Sequence, residues 1–244
     1  MAIAGLYEIF NHWHKVGTLY LYSDPHFGDK DIPNRPTDEE QLARINSKVG
    51  KKDTIIILGD CGDTEFIRRI RAQHKILIMG NHDAGKSNYQ RIIYHRKFDV
   101  NEYTEQDARQ AMEKEYPNCR ITVGEGYDLS HSPFHFWEVW ADNRLFDEVY
   151  EGPLVIGPRL ILSHEPVDVP WAMNLHGHIH DPRHKNDELH FNVCAEAIDY
   201  TPLNFNKWMK EGHLSHIEDI HRTVIDLAIE RCIKREEKKR KKKK

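Results

Sequence analysis

Two short apolar runs, each followed at once by a polar cluster, constrain the fold of this chain more than any other feature. Residues 54–58 read Thr-Ile-Ile-Ile-Leu and precede Gly-Asp, and residues 75–79 read Lys-Ile-Leu-Ile-Met and precede Gly-Asn-His-Asp. Their length and β-branched character indicate strands that are buried on both faces of a sheet. Because a helical pattern over residues 65–72 separates them, the order strand, helix, strand predicts a parallel α/β sheet.

Other predicted strands also end at residues that can bind a cation. A strand pattern over residues 18–23 stops at an Asp-x-His sequence. Further strand patterns cover residues 154–156, 159–163, 172–175 and 189–195. The first two flank a Gly-Pro pair and predict a hairpin, whose second strand leads into His164. The third pattern leads into His178 and His180.

The helical patterns separate a sheet domain from an insertion. Residues 37–49 form a predicted helix that starts with a capping-box pattern and is followed by a glycine. Residues 101–145 contain a helical pattern over 104–115 and an aromatic stretch, but no strand end with a recognisable ligand. We therefore expect one domain over residues 1–233 with an insertion at about 101–145. Two interpretations of the insertion stay open: a lid that stacks on a nucleobase, or a satellite core.

Charge is distributed unevenly along the chain. Residues 234–244 contain nine Lys or Arg and two Glu, a local charge of +7, whereas the whole chain carries −4 and the remainder therefore −11. Such an acidic body argues against a general nucleic-acid surface, although the basic tail could attract phosphates. We expect a helix over about 215–234 to pack on the sheet and the tail to be solvated and disordered.

Composition indicates a soluble globular protein in a reducing compartment, for which we expect the cytoplasm. Of the 244 residues 39% are hydrophobic, the mean hydropathy is −0.72, and no apolar run approaches the length of a membrane span. The cysteines are widely separated and form no C-x-x-C pair, which disfavours a disulfide framework or a thiolate zinc site. Cys61 follows a candidate ligand, Asp60, and is interpreted as a small buried residue rather than a nucleophile.

The strand ends together present a set of oxygen and nitrogen donors. The set comprises Asp24, His26, Asp60, Asn81, His82, His164, His178 and His180. Open α/β sheets bind ligands at the carboxyl ends of their strands, so these side chains are expected to converge. Seven or eight donors exceed what one tetrahedral ion needs and suit two divalent cations that share a ligand. Asp60 is the best candidate for the shared ligand, because one carboxylate can neutralise part of the charge of two cations.

The order of these motifs resembles that of the calcineurin-like metallophosphoesterase superfamily. The motifs are Asp24-x-His26, Gly59-Asp60-x-x-Asp63, Gly80-Asn81-His82-Asp83, His164 and Gly177-His178-x-His180. Each is weak alone, but the ordered set over residues 24–180 covers most of the chain. The resemblance implies a four-layer β-sandwich flanked by helices, in which the inserted segment lies outside the shared fold.

The resemblance also implies a site and a reaction. One metal would be held by Asp24, His26, Asp60 and His180, and the other by Asp60, Asn81, His164 and His178. A hydroxide bridging the two cations would attack a small-molecule or nucleotide phosphoester. Mn²⁺ is the expected cation in vitro, although Fe²⁺, Zn²⁺ and Co²⁺ accept the same ligands.

Further residues receive roles from the same resemblance. His82 would act as a general acid or phosphate contact, with Asp63 as the residue that orients it and Asp83 as a second candidate for that role. Arg35 is a hypothetical phosphate contact. The sequence departs from the protein serine/threonine phosphatases, because Asp63 is followed by Thr-Glu where those enzymes carry Arg-Gly. A phosphoprotein substrate is therefore disfavoured.

Two other functions remain open at this point. A nuclease is disfavoured by the acidic body, but the basic tail is compatible with it. A non-catalytic metal-binding interaction module on the same fold is the second alternative, and the presence of every matched ligand together with His82 argues against it. His176 lies outside the matched pattern and is not expected to bind metal.

Overall fold

The computed structural model describes residues 5–14, 17–32, 34–83, 89, 91–117, 119–130, 134–181, 183, 184, 186–217 and 220–242. The chain divides into two compact units, one formed by Met1–Ala84 with Glu148–Lys244 and the other by Gly85–Asp147. We call them the sheet unit and the inserted unit.

The strands are β1 (Leu19–Tyr22), β2 (Thr54–Ile57), β3 (His74–Ile78), β4 (Ile93–Asp99), β5 (Arg120–Asp128), β6 (Phe134–Asp142), β7 (Glu148–Tyr150), β8 (Leu154–Gly157), β9 (Leu160–Leu162), β10 (Met173–His176), β11 (His190–Asn192) and β12 (Leu203–Asn204). The helices are α1 (Asp38–Lys48), α2 (Thr64–Arg69), α3 (Glu105–Glu115), α4 (Phe205–Lys210) and α5 (Ile220–Lys242), preceded by a 3-10 helix at Glu8–His14. Within the described residues, no helix combines the length and the apolar character needed to cross a membrane.

The sheet unit is built from two sheets with a shared core. The first sheet has the order β12-β1-β2-β3-β7; β1, β2, β3 and β7 are parallel to one another, which confirms the predicted parallel arrangement, and β12 pairs antiparallel with β1. The second has the order β11-β10-β9-β8 and contains the predicted hairpin of β8 and β9. Apolar side chains from both sheets, such as Ile56 and Leu162, meet in one buried cluster. The mixed α/β fold with a central sandwich is therefore confirmed.

Helices cover the opposite face of the first sheet. Because side chains alternate along a strand, Ile55 and Ile57 point away from the shared core, yet both are fully buried. The β1-α1-β2 and β2-α2-β3 crossovers supply the covering helices. The predicted capping box of α1 is present, since Thr37 accepts from the Glu40 backbone and the Glu40 carboxylate accepts from the Thr37 N–H.

The inserted unit is an antiparallel sheet with one helix. Its strand order is β4-β6-β5, and α3 packs on one face around Ala108, Met112 and Val139. The unit begins earlier than the expected insertion at 101–145, because β4 pairs along its whole length with β6. Residues 93–99, which precede the expected insertion, therefore belong to the inserted unit.

The C-terminal helix differs from expectation. α5 runs to Lys242, so residues 234–242 are helical rather than disordered, and Lys243 and Lys244 lie outside the described residues. All described side chains of α5 are exposed, including Val224 and Leu227, and the expected packing of this helix on the sheet is wrong. The physical reason is the spread of its apolar residues around the helix: at about 100° per residue, Ile225 and Ile229 lie off the stripe that Val224 and Leu227 form.

Candidate metal centre

The site lies where the two sheets end together. β1, β2 and β3 are adjacent and parallel, so the residues that follow them emerge at one edge of the first sheet. The end of β10 in the second sheet reaches the same edge, where the His178 N–H donates to Oδ2 of Asp24 at 2.8 Å, and the end of β9 lies beside it, since the Gly177 N–H donates to the carbonyl of His164 at 2.9 Å. This arrangement brings seven predicted ligands into one pocket: Asp24, His26, Asp60, Asn81, His164, His178 and His180.

One half of the site is built around Asp24. Its Oδ1 lies 3.8 Å from Nε2 of His26 and 3.8 Å from Nε2 of His180. The His26 Nε2 in turn lies 3.6 Å from Oδ2 of Asp60. Asp24, His26 and Asp60 each offer a ligand atom, and these atoms lie within 4.8 Å of one another. This half can therefore hold one cation between carboxylate and imidazole donors.

The other half is built around His164. Its Nε2 lies 2.9 Å from Oδ1 of Asn81, 3.3 Å from Oδ2 of Asp60 and 3.2 Å from Nδ1 of His178. Its Nδ1 lies 2.7 Å from the carbonyl of Leu58, which can only accept, so Nδ1 carries the hydrogen and Nε2 is left to face the other ligands. Metal-bound histidines are typically oriented in this way. Oδ2 of Asp60 thus faces histidine nitrogens of both halves.

Buried atoms without a partner show that the pocket fits cations. Among the described residues, Oδ1 of Asp24 and Nε2 of His26 are buried side-chain atoms with no hydrogen-bond partner. Leaving such groups unsatisfied costs about 1–3 kcal/mol each or more. Both atoms point into the pocket, where a cation would satisfy them together. The donor set of oxygen and nitrogen is compatible with a pair of divalent ions.

Burial and charge act in opposite directions on these groups. Burial raises the pKa of Asp24, which is 1% exposed, and lowers the pKa of His26 toward its neutral, metal-binding form. Burial also opposes the cationic form of His164, but hydrogen bonding and charge from Asp60, together with Asp24, outweigh it and raise the pKa of His164 to about 9. The same contact lowers the pKa of Asp60 despite its burial.

Backbone strain concentrates at the same residues. Asp24, His26, Asp60 and His178 all have a positive φ, between 42° and 67°. For non-glycine residues this region is sparsely populated and costs on the order of 1 kcal/mol or more per residue. Such strain persists only where the surrounding structure imposes it, and here it turns four ligand side chains toward one point.

A glycine permits a close approach between the loops that follow β10 and β1. A Cβ on Gly177 would collide with Oγ of Ser23 and Oδ2 of Asp24. The absence of a side chain lets the next residue, His178, donate its backbone N–H to Oδ2 of Asp24 at 2.8 Å. Gly177 is therefore required by the geometry of the ligand loop.

Two carboxylates support the ligands through contacts that the sequence does not predict. Asp83 is buried and accepts from the backbone N–H groups of Asp60, Cys61 and Gly80, so it joins the loops after β2 and β3. The sequence offers Asp83 only as a second candidate for the residue that orients His82. The carboxylate Oε2 of Glu196 lies 3.1 Å from Nδ1 of His180, and raises the pKa of that histidine.

A sequence signal could have identified the second of these carboxylates. Glu196 follows the predicted strand at 189–195 directly, in the same way as the ligands follow their strands. A carboxylate at this position of a sheet edge is therefore a candidate, even though no motif contains it.

The remaining predicted site residues are placed differently from the ligands. Asp63 caps α2 through the Glu65 N–H, and among the described residues no hydrogen bond joins it to His82. His82 is exposed, with its ring centroid 5.3 Å from that of His26. Arg35 donates to the carbonyls of Pro25 and His26 and so braces the first ligand loop. The proposed catalytic roles of Asp63 and His82, and the substrate contact of Arg35, stay predictions.

A cleft opens beside the second half of the site. It has a volume of ≈ 310 Å³ and is lined by Met79, Gly80, Asn81, Glu151, Gly152, Pro153, Ser163, His164, Glu165, Pro166 and Val167. Asn81 and His164 connect it to the ligand cluster. This volume lies at the lower end of the range for small-molecule pockets.

The comparison with protein families agrees with the motif pattern. A family model described as calcineurin-like phosphoesterase matches residues 17–217. No curated protein matches the chain. Among solved structures, a protein of unknown function from Aquifex aeolicus is 21% identical with a TM-score of 0.46, covering 79% of this chain and 98% of that one. A nuclease MPE from Pseudomonas putida is 20% identical with a TM-score of 0.33, covering 66% and 60%.

Proposed function

Because the chain belongs to the calcineurin-like phosphoesterase family, we propose that it hydrolyses a small-molecule or nucleotide phosphoester with two divalent cations held by the seven-residue cluster. Family membership implies metal-dependent phosphoester hydrolysis. The observation that carries the two-cation proposal is the position of Asp60, whose Oδ2 lies 3.6 Å from His26 Nε2 and 3.3 Å from His164 Nε2. A carboxylate oxygen between two groups of ligands suits a shared ligand.

Each of the two cations would have its own ligands in addition to Asp60. Asp24, His26 and His180 would hold one cation with Asp60, and Asn81, His164 and His178 would hold the other with Asp60. When bound, two divalent cations supply Lewis acidity, which lowers the pKa of water and offsets charge on the phosphoryl oxygens. Asp83 and Glu196 would keep the ligand loops in place through the contacts described above. Mn²⁺ is our proposed cation for assays, with Fe²⁺, Zn²⁺ and Co²⁺ compatible with the same donors.

The cleft supports a small substrate. Its volume of ≈ 310 Å³ fits a compact phosphoester, and the exposed carboxylates Glu151 and Glu165 line it. Two carboxylates beside the reacting centre disfavour a long polyanion, because like charges repel. These features favour a small-molecule or nucleotide phosphoester over DNA or RNA.

His82 is proposed to contact the phosphoryl group or to protonate the leaving oxygen. It is exposed at the mouth of the site, and its backbone N–H donates to Oδ1 of Asp60, which fixes the residue beside the shared ligand. His82→Ala should retain both metals and lower kcat by about 10²-fold, the usual size of a general acid–base contribution. His184→Ala, at an exposed histidine paired with Asp181, is the matched control. Loss of metal from His82→Ala would assign it a structural role instead.

The proposed function is tested by an activity screen on the metal-free protein reloaded with Mn²⁺. Phosphomonoesters, phosphodiesters and cyclic phosphoesters, including bis-p-nitrophenyl phosphate, would be compared before and after treatment with a chelator. We expect hydrolysis only in the reloaded sample, with about two equivalents of Mn²⁺ per chain. Stoichiometric binding without turnover of any phosphoester would favour a non-catalytic metal-binding module.

Arg35 has two testable roles. If it contacts substrate phosphate, Arg35→Ala raises KM and leaves the metal content intact. If it only braces the loop that carries His26, as its bonds to the carbonyls of Pro25 and His26 suggest, the same change lowers metal affinity. Metal titration beside steady-state kinetics separates the two roles.

A nuclease is the second candidate, and the basic end of α5 favours it. Residues 234–244 carry nine cationic side chains, and cations on exposed helices bind nucleic-acid phosphates in a salt-dependent way. Truncation after residue 233 should then abolish salt-sensitive binding of single- or double-stranded DNA and RNA. Unchanged binding after truncation would remove this candidate.

A further inference from the structure

A second cluster of metal-ligating side chains lies at the other end of the first sheet. His74 begins β3, Glu148 begins β7, and His12 lies on the 3-10 helix Glu8–His14. In the register of these strands Glu148 pairs with Ile76, so His74 and Glu148 lie on the same face of the sheet. The ligand cluster described above follows the opposite ends of the parallel strands. The two groups are therefore separate sites.

We propose that His12, His74 and Glu148 bind one divalent transition-metal ion of the Zn²⁺ class. Each side chain offers one ligand atom, and the three atoms lie within 4.8 Å of one another. Two imidazole nitrogens and one carboxylate oxygen are a common protein donor set for Zn²⁺. The site rests on these residues alone and does not depend on the proposed phosphoesterase activity.

The geometry of the carboxylate carries the proposal. Nε2 of His12 lies 2.8 Å and Nε2 of His74 lies 2.6 Å from the same oxygen, Oε1 of Glu148. The other oxygen, Oε2, accepts from the Tyr150 hydroxyl at 2.5 Å, and the Trp13 indole lies 3.1 Å from both oxygens. These two donors fix the plane of the carboxylate. Two histidines therefore converge on one oxygen that is already held in position.

The hydrogen bond of the His12 ring also supports the proposed metal site. Nδ1 of His12 lies 2.8 Å from the Ile9 carbonyl, which only accepts, so Nδ1 carries a hydrogen. Nε2 then faces Oε1 of Glu148, the oxygen that also faces His74. A histidine that donates Nδ1–H to a backbone carbonyl and presents Nε2 has the usual orientation of a metal ligand.

The site is reachable and would connect distant parts of the chain. The His12, His74 and Glu148 side chains are 42%, 30% and 19% exposed, so an ion can enter from solvent and keep water in its remaining positions. The three ligands come from segments far apart in sequence. A bound ion would hold the 3-10 helix against the edge of the sheet and stabilise the folded chain, because it binds only where the three segments meet.

Zn²⁺ binding to single variants tests the proposal. His74→Gln and His12→Gln each keep a side-chain amide but lose an imidazole nitrogen. The matched control is His95→Gln, since His95 also faces one glutamate, with its Nε2 2.8 Å from Oε1 of Glu138, and belongs to no three-residue cluster among the described residues. Zn²⁺ equivalents per chain would be measured by isothermal titration, and the Zn²⁺-induced rise in Tm by calorimetry.

We expect the wild-type chain and His95→Gln to bind one more equivalent of Zn²⁺ than either His12→Gln or His74→Gln. The rise in Tm should be smaller in both variants. In an Asp60→Asn background, which is expected to lose the other metals, one equivalent should remain and should disappear with His74→Gln. Mn²⁺-dependent turnover should be unchanged in the His12 and His74 variants, which separates this result from a failure of the proposed function.

The proposal is overturned if His12→Gln, His74→Gln and His95→Gln bind the same number of Zn²⁺ equivalents. The cluster would then be a hydrogen-bond hub around Glu148 only. If His74→Gln fails to fold, His12→Gln decides alone, because His12 is the most exposed of the three side chains.

Discussion

The described residues of the two units differ in backbone strain and in the pairing of buried polar atoms. In the sheet unit, Asp24, His26, Asp60 and His178 combine positive φ with burial or direct contact at the ligand cluster. In the described part of Gly85–Asp147, no residue has a positive φ and no buried side-chain polar atom lacks a partner. Strain and unsatisfied groups reduce stability, so they persist where a ligand offsets them. The comparison favours the sheet unit as the location of the site, where Asn34, Asp199 and Tyr200 also have a positive φ without belonging to the ligand cluster.

Ion pairs show the same difference. Asp142 in the inserted unit accepts from Arg91 and Arg144, and His95 faces Glu138, at positions that water reaches. Each of these carboxylates has a donor within the unit. Oδ1 of Asp24 has none among the described residues, although it is fully buried. The described carboxylates Asp142 and Glu138 of the inserted unit are thus paired, whereas Oδ1 of Asp24 has imidazole nitrogens only at 3.8 Å.

Replacement of the shared carboxylate, Asp60, should give the largest loss of metal binding and turnover. Asp60→Asn removes the charge that faces His26 and His164, so we expect both metals to bind weakly and turnover to fall by at least about 10³-fold. Asp142→Asn, at a carboxylate that pairs with Arg91 and Arg144 and is 13% exposed where Asp60 is 3% exposed, is the control and should leave kcat and metal content unchanged. Metal analysis and kinetics would be measured on the same samples. An Asp60→Asn protein with two bound metals would contradict the assignment of a shared ligand.

The sequence predicted the positions of the ligands because strand ends and apolar runs are local signals. Residues 54–58 and 75–79 became adjacent parallel strands, and every predicted ligand followed a strand in the structure. The supporting carboxylates could not be predicted as well. Asp83 acts through backbone N–H groups of Asp60 and Cys61, and such contacts depend on how two loops meet rather than on any local pattern.

The remaining misjudgements also have physical causes. The short strand β12 pairs with β1 across a long separation, and two residues carry too little periodicity to reveal it. For α5, a helical spacing of apolar residues predicted packing, but that spacing does not specify a partner. The boundary of the inserted unit depended on the pairing of β4 with β6, which composition alone does not encode.

The next largest effect is expected from a glycine-to-alanine substitution, and it should differ between the sheet unit and the inserted unit. Gly177→Ala places a Cβ in collision with the side chains of Ser23 and Asp24. Either the backbone at residue 177 or the Asp24 ligand must therefore move. We expect a loss of metal affinity of at least about 10-fold, together with a stability loss of about 1–3 kcal/mol. Gly124→Ala in the inserted unit meets only the ring of Trp140, at 3.2 Å, and that ring can shift. Similar metal affinity for the two variants would show that the approach at Gly177 does not position Asp24.

Histidine–glutamate pairs allow a third, smaller test. Glu196→Gln removes the charge 3.1 Å from Nδ1 of His180, and Glu138→Gln removes the charge 2.8 Å from Nε2 of His95. A carboxylate behind a metal-bound histidine typically contributes about 10-fold or more to metal affinity. We therefore expect Glu196→Gln to bind Mn²⁺ more weakly than the wild type and Glu138→Gln to bind it equally well, as measured by titration calorimetry. Equal affinities would mean that Glu196 does not orient a ligand.

The smallest effect is expected at Asp142 in the inserted unit, where the change in Tm on substitution should depend on pH. Burial alone would raise the pKa of Asp142, but hydrogen bonds from Arg91 and Arg144 outweigh it and lower that pKa. Because the folded pKa is depressed, the stabilisation by this carboxylate is complete above its unfolded pKa of about 4 and is lost as the pH falls through the folded value. Asp142→Asn should therefore lower Tm by a few degrees at neutral pH, with the difference from wild type shrinking toward pH ~3. A difference in Tm that stays constant over this range, in calorimetric scans of both proteins, would show that Asp142 stabilises the unit through shape rather than charge.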